Sequence, residues 1–172
     1  MARAILRGIT NAMTQTTVEQ PLSNSRPKRI LLVEDDVRIV NFMRRGLEAE
    51  GMTLDVAWAK APALQLAESH RYDAIILDIY LGDDNGLELC RNLRQRAITS
   101  PILTMTAKDS MELREASVQA GASAYFAKPF SFDDLLNTLE KACRGHSKID
   151  EATTSGVADA MTSLNDGLPS SR

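Results

Sequence analysis

Apolar and polar positions along this chain follow two alternating rhythms. Five short runs are apolar almost without interruption: KRILLVED (28–35), TLDVAWA (53–59), DAIILD (73–78), PILTMT (101–106) and ASAYFAK (122–128). Four of them read as buried strands, because strands covered on both faces lose the usual in–out alternation. The run at 53–59 does alternate, as an edge strand should. Between the runs the period changes to that of a helix. Ile39, Met43 and Leu47 recur at four-residue spacing in 37–50, and Gly51 follows at the position where helices stop. Pro62 suits a first helical turn ahead of Leu64, Leu66 and Ala67. Residues 86–96 carry Leu87, Leu89, Cys90 and Leu93, and 109–120 end at Gly121. A last helix opens at Ser131 with Asp134 three residues on, then runs through Leu135, Leu136, Leu139 and Cys143 to Gly145.

Five strand–helix units in succession predict an α/β protein with a doubly wound, five-stranded parallel sheet and five helices, since parallel crossovers are right-handed. The edge character of the second run and the continuous apolarity of the first and third favour the flavodoxin-like order 2-1-3-4-5. The ends read differently. Residues 1–27, which include a polar stretch with two prolines, are expected to be a disordered leader, with Met13 as an alternative start. Residues 146–172, rich in Ser, Thr, Asp and Gly, are expected to be a disordered tail, leaving 28–145 as the one folded domain.

Composition narrows the setting. The 172 residues are 44% hydrophobic and 25% charged, with a net charge of −3, which offers no general attraction to nucleic acid or to an anionic membrane surface. No apolar run approaches the roughly 20 residues of a membrane span. Cys90 and Cys143, far apart and both in helical stretches, read as thiols in a reducing cytoplasm. A cytoplasmic protein that binds neither nucleic acid nor membrane is therefore expected.

The chemistry lies at the strand ends. In an open parallel sheet, ligands bind beyond the carboxyl ends of the strands, where the strand order reverses. The first run ends in Glu34 and Asp35, with Asp36 next. The third ends in Asp78, the fourth in Thr106 and Ala107, and the fifth in Lys128 and Pro129. Asp78 closes the most hydrophobic strand, where an unpaired carboxylate would be costly. Clustered carboxylates repel unless a cation sits among them, and an oxygen-only set with open positions suits Mg²⁺. Lys128 supplies a compact positive charge, while the Thr106 hydroxyl and the Ala107 backbone N–H are donors for a phosphoryl oxygen. Asp78 is then a candidate carboxylate nucleophile. Singly each piece has a plain reading, as turn residue, N-cap or helix-dipole partner. Their conjunction on one rim is what points to a site.

The segments ILLVEDD, IILDIYL, LTMTAKD and GASAYFAKPF resemble the signature blocks of response regulator receiver domains, in order and with similar spacing, over about residues 28–145. The resemblance implies a single-domain response regulator of a two-component or phosphorelay system. It implies Asp78 as phosphoacceptor and metal ligand, Asp35 as direct Mg²⁺ ligand, Glu34 as a ligand through water, and the Tyr80 backbone carbonyl as a further ligand. Thr106 is the implied switch hydroxyl, Tyr125 the switch aromatic, and Lys128 the lysine preceding a cis Pro129. The chain departs from the family pattern at Gly82, where a proline is usual, at Asn85–Gly86 in place of Asp-Gly, and at Ser123 and Ala124 in place of acids. Gly82 is expected to loosen the loop after the third strand.

These readings make the chain a switch that takes a phosphoryl group from a histidine kinase or histidine phosphotransfer protein and acts through contacts with a downstream protein. It would catalyse only its own phosphorylation and dephosphorylation. Val37 and Val40, placed off the main apolar face of the first helix, are candidates for docking the phosphodonor or for partial packing. A phosphatase of the haloacid dehalogenase type needs a second Asp two residues after the nucleophile, and position 80 is Tyr. A nucleotide or flavin site needs a phosphate loop after the first strand, where this chain has Glu-Asp-Asp. A receiver-like scaffold that binds partners without phosphorylation stays open at this level.

Overall fold

The structure, a computed structural model, describes residues 26–145. The elements follow in the order β1 (Arg29–Val33), α1 (Val37–Ala49), β2 (Thr53–Ala57), α2 (Lys60–Ser69), β3 (Ala74–Asp78), β4 (Tyr80–Leu81), β5 (Asp84–Asn85), α3 (Gly86–Gln95), β6 (Ile102–Thr106), α4 (Met111–Gln119), β7 (Ala124–Ala127) and α5 over 132–145. The main sheet is parallel throughout and ordered β2-β1-β3-β6-β7. Counting only its own strands, this is the predicted 2-1-3-4-5. The two-residue strands β4 and β5, which pair with each other, were not foreseen. Most of the expected leader, 1–25, and the whole expected tail, 146–172, lie outside the described residues. Arg26, at the end of that leader, pairs both terminal guanidinium nitrogens with the Asp73 carboxylate at 2.8 Å.

Two apolar clusters sandwich the sheet. Alternate strand residues point to opposite faces, so Leu31, Val33, Ile75 and Leu77 meet α2 and α3, while Ile30, Leu32, Ile76 and Leu103 meet α1 and α5. Every residue of β3 and β6 is buried, which explains their unbroken apolar runs. The end of α1 follows the sequence closely. Gly51 adopts φ +73°, and its N–H and that of Met52 donate to the carbonyls of Glu48 and Leu47, closing the helix in the pattern glycine favours there. Gly46 lets the Phe132 ring of α5 lie on α1, where a Cβ would collide with it.

One expectation about α1 is corrected. Val40 lies in the core, 2% exposed among Met43, Leu47 and Leu135, whereas Val37 is 56% exposed. The buried face runs Val40–Met43–Leu47, at three- and four-residue steps, and Ile39 sits at its border.

Candidate functional site

β1, β3, β6 and β7 deliver their last residues to one rim, and the parallel register sets the heights. Leu77 lies beside Val33, Asp78 beside Met105, and Thr106 beside Ala127. Glu34, Asp78 and Lys128 therefore arrive together although 44 and 50 residues of chain separate them in turn. The Lys128 ammonium donates to Asp78 Oδ2 at 2.6 Å and to Glu34 Oε2 at 2.8 Å. Glu34 and Asp78 are 1% and 5% exposed. Each carboxylate has a second partner: Tyr80 N–H donates to Asp78 Oδ1 at 3.0 Å, and Asp36 N–H to Glu34 Oε1 at 3.2 Å. The lysine thus answers the question raised by a carboxylate at the tip of an apolar strand.

Asp35 is exposed and completes an acidic group with Glu34 and Asp78, one oxygen of each lying within 4.8 Å of the others. Asp36, the third acid in sequence, is not part of it. It caps α1, accepting from Arg38 N–H at 2.8 Å and from the Arg38 guanidinium, and that guanidinium holds its carboxyl well below the usual range. Burial pushes the Glu34 carboxyl up, the Asp78 charge adds to this, and Lys128 opposes it. Burial works against the charge on Lys128, yet its two carboxylate partners outweigh it and raise its pKa.

Thr106, fully buried, points its hydroxyl into the turn after β6. The hydroxyl donates to the Lys108 carbonyl and accepts from Lys108 N–H, both at 3.1 Å. Tyr125 is half-buried, and its hydroxyl reaches the same Lys108 carbonyl at 3.3 Å and Asp109 at 3.2 Å, with the Arg114 guanidinium over its ring. Ala107 is exposed at the mouth, and the Lys128–Pro129 bond is cis. Sequence reasoning missed Lys108, which ties Thr106 to Tyr125 through its backbone and lays its ammonium 4.9 Å from the Tyr80 ring centre. A backbone acceptor leaves no mark in residue type.

Gly82 has φ +58°, a region closed to the proline usual at this position, so the glycine fits a left-handed bend in the tight β4–β5 hairpin. Asn85 takes over the capping of α3, accepting from Leu87 and Glu88 N–H at 2.9 and 3.3 Å. Gly86 lies against the backbone of Asp78, where a Cβ would collide with the Asp78 carbonyl oxygen and stand 2.8 Å from Ile79 Cα.

Residues 30–140 match the response regulator receiver domain family. The chain belongs to this family. Among the relatives it resembles is the response regulator MprA of Mycobacterium ulcerans, 36% identical over 137 residues, which are 80% of this chain and 59% of that protein. Among solved structures, a CheY-like receiver domain protein of Methanospirillum hungatei superposes with a TM-score of 0.67 at 30% identity, over 71% of this chain and 98% of the other. The receiver domain of Klebsiella pneumoniae RstA, in a BeF3-activated form, gives 0.65 at 30% identity over 68% and 99%. The chain spans between about half and two-thirds of the length of the curated relatives it matches, from 51% to 65%. As a receiver domain it takes its place in two-component signal transduction. Among the described residues no helix is long and apolar enough to cross a membrane.

Proposed function

We propose that the chain is a phosphorylation-dependent switch whose phosphoacceptor is Asp78. The observation that carries this reading is the Lys128 ammonium, 2.6 Å from a carboxylate that is only 5% exposed at the mouth of the sheet. The phosphodonor is a histidine kinase or histidine phosphotransfer protein. An Asp78 oxygen attacks phosphorus, the phosphorus–nitrogen bond to the imidazole breaks, and the electron pair leaves with the histidine. Lys128 holds Asp78 oriented through its 2.6 Å contact, and keeps a cation beside the charge on the transferring oxygens.

The donor set also fits Mg²⁺. Three carboxylates and one ammonium leave two negative charges, which one divalent cation balances, and the acidic oxygens lie within 4.8 Å of one another with Asp35 open to solvent. Asp35, Asp78 and the Tyr80 carbonyl would hold the ion directly and Glu34 through water. When bound it supplies charge neutralisation at the phosphoryl oxygens.

Once Asp78 carries roughly two negative charges, the Thr106 hydroxyl and the Ala107 N–H are the nearby donors for the new oxygens. Thr106 leaves the Lys108 carbonyl, Tyr125 moves into the space vacated, and the face formed by α4, β7 and α5 repacks to meet a downstream protein. The test is incubation with Mg²⁺ and acetyl phosphate, read by intact mass. One added phosphoryl group, absent in Asp78→Asn, supports the switch. No adduct with any donor moves the reading to a binding scaffold, and sustained turnover of phosphate esters moves it to a phosphatase.

A further inference from the structure

The two ends of α4 are attached to the protein in different ways. Its C-terminal end is anchored by buried polar contacts to two elements. Ser117 is fully buried, and its hydroxyl lies 2.6 Å from that of Thr104 on β6. Thr104 spends its one proton on the Ala124 carbonyl at 3.1 Å, so Ser117 is the donor of the pair. Ala120, 2% exposed, accepts from the Cys90 thiol of α3 at 3.2 Å, and the Gly121 carbonyl accepts from Arg94 Nε of α3 at 3.0 Å. The N-terminal end has no such anchors. Met111, Glu112, Arg114 and Glu115 are exposed, and Leu113 is only partly buried. This end is held by the turn before it, through the Thr106 and Tyr125 hydroxyls on Lys108 and Asp109, and by the Arg114 guanidinium over the same Tyr125 ring, with Leu113 its one partly buried apolar contact in the first turn.

We propose that α4 is a lever hinged at Ser117–Gly121, with the turn at 108–110 and the first helical turn as its moving end. This rests on the phosphoswitch reading and adds the form of the motion. Thr104 and Thr106 lie two residues apart on the same face of β6, so one strand carries both the fixed anchor and the releasable tie. Release of Thr106, with the movement of Tyr125 that follows, undoes the polar ties and the Arg114 ring contact at the end of the helix that lacks a buried polar anchor. The hinge end keeps its hydroxyl clasp and its two links to α3. Ser117 acts as a positioning residue, remote from the phosphoryl group, and makes the helix tilt rather than detach.

Residue-resolved amide exchange of the full chain, with and without beryllofluoride and Mg²⁺ as the phosphoryl stand-in, tests this. In the wild type, amides at 108–113 should change on loading, while those at 117–122 stay within experimental error. In Ser117→Ala, exchange at 117–122 should rise by about three- to tenfold before loading, the change expected for one lost buried hydrogen bond, and should respond to beryllofluoride afterwards. Strands β1 and β3 should keep wild-type protection, which separates a loosened hinge from general destabilisation. Thr104→Val should behave like Ser117→Ala, and Thr104→Ser, which keeps the hydroxyl, should restore the wild-type pattern. Equal changes along α4 in the wild type, or a Ser117→Ala variant indistinguishable from it, overturn the hinge while leaving the switch intact. Absence of any change, even at Asp78 and Thr106, overturns the switch and the lever with it.

Discussion

The Thr106 and Tyr125 hydroxyls converge on one oxygen, the carbonyl of Lys108, at 3.1 and 3.3 Å, with Asp109 Oδ1 at 3.2 Å as the second acceptor open to the single Tyr125 proton. A backbone carbonyl with two lone pairs can hold both hydroxyls, so the positions of the two side chains are linked through one turn rather than through direct contact. Removing the Thr106 hydroxyl should therefore cut the link without touching the nucleophile. Thr106→Val keeps the shape, takes the acceptor from Lys108 N–H, and should cost about 1 kcal/mol in urea unfolding. Acetyl phosphate should still label Asp78 in this variant, but the Tyr125 amide should no longer shift on beryllofluoride loading, and Thr106→Ser should recover the shift. A full Tyr125 response in the valine variant would show that Lys108 does not carry the link.

Lys128 should matter for stability as well as for phosphorylation. Its side chain is 17% exposed, against 1% and 8% for those of Glu34 and Asp78. Lys128→Met leaves two buried carboxylates facing each other, and breaking a buried pair from one side costs about 3 kcal/mol or more. The pH dependence follows from the raised lysine pKa. A cation whose folded pKa lies above its unfolded value near 10.5 contributes fully below that value and loses the contribution as pH climbs through the folded one. The gap between wild type and variant should thus be flat from pH 7 to 10 and close at higher pH. It should also narrow in acid, where Glu34 takes up a proton. Urea midpoints across this range, without added metal, check it, and a gap that is absent at pH 7 would remove Lys128 from the stability argument.

How much of this was legible beforehand depended on where the information resides. Strand order and strand limits could be read because burial on two faces is written directly into apolar runs such as that of β3. The acids, Thr106 and Lys128 could be gathered because a parallel sheet sends every strand's carboxyl end to the same rim. Val40 was misplaced because one residue's offset on a helix is 100°, and Ile39 and Val40 straddle the boundary of the buried face. The left-handed bend at Gly82 is not legible in the sequence, because a residue type does not state its φ. The Lys108 turn and the Thr104–Ser117 clasp were invisible for another reason. One works through backbone atoms, and the other joins two common hydroxyl residues on elements whose relative position only the fold sets.

Glycines at three places in the fold give graded predictions for substitution. At Gly86 a Cβ meets backbone that cannot turn aside, so Gly86→Ala must shift Asp78 itself. Such overpacking costs about 1–3 kcal/mol, and labelling by acetyl phosphate should fall with it. At Gly46 the obstacle is the Phe132 ring, a side chain that can move, so Gly46→Ala should cost less and leave labelling unchanged. Gly82→Pro demands φ near −65° where the chain has +58°, and should be destabilising, while Gly82→Asn, which tolerates the left-handed region, should be milder. Equal stability of the Pro and Asn variants would mean that the hairpin does not hold this conformation in solution.

Cys143 provides a pH test of the α5 packing that is independent of the phosphorylation site. It is 3% exposed on the inner face of α5, in the cluster with Leu135 and Leu139. Burial pushes its thiol from an ordinary 9.0 up to about 11, with the charges of Asp73 and Glu140 adding and Lys28 opposing. In the unfolded chain the thiol ionises near 9, while the folded chain keeps the proton to higher pH. The unfolded state therefore binds fewer protons in this window, and stability falls as pH rises through it. The two-unit difference corresponds to a loss on the order of 2–3 kcal/mol, fully developed only above the folded value. Cys143→Ala has its own packing cost, seen as a constant offset at pH 7–8.5, but should lack this slope. Wild type and variant, unfolded in urea under reducing conditions between pH 8.5 and 11, should therefore converge by most of that amount as the pH rises. A constant difference across the range would mean that the thiol titrates as freely in the folded protein as in the unfolded chain, and that α5 does not close over it.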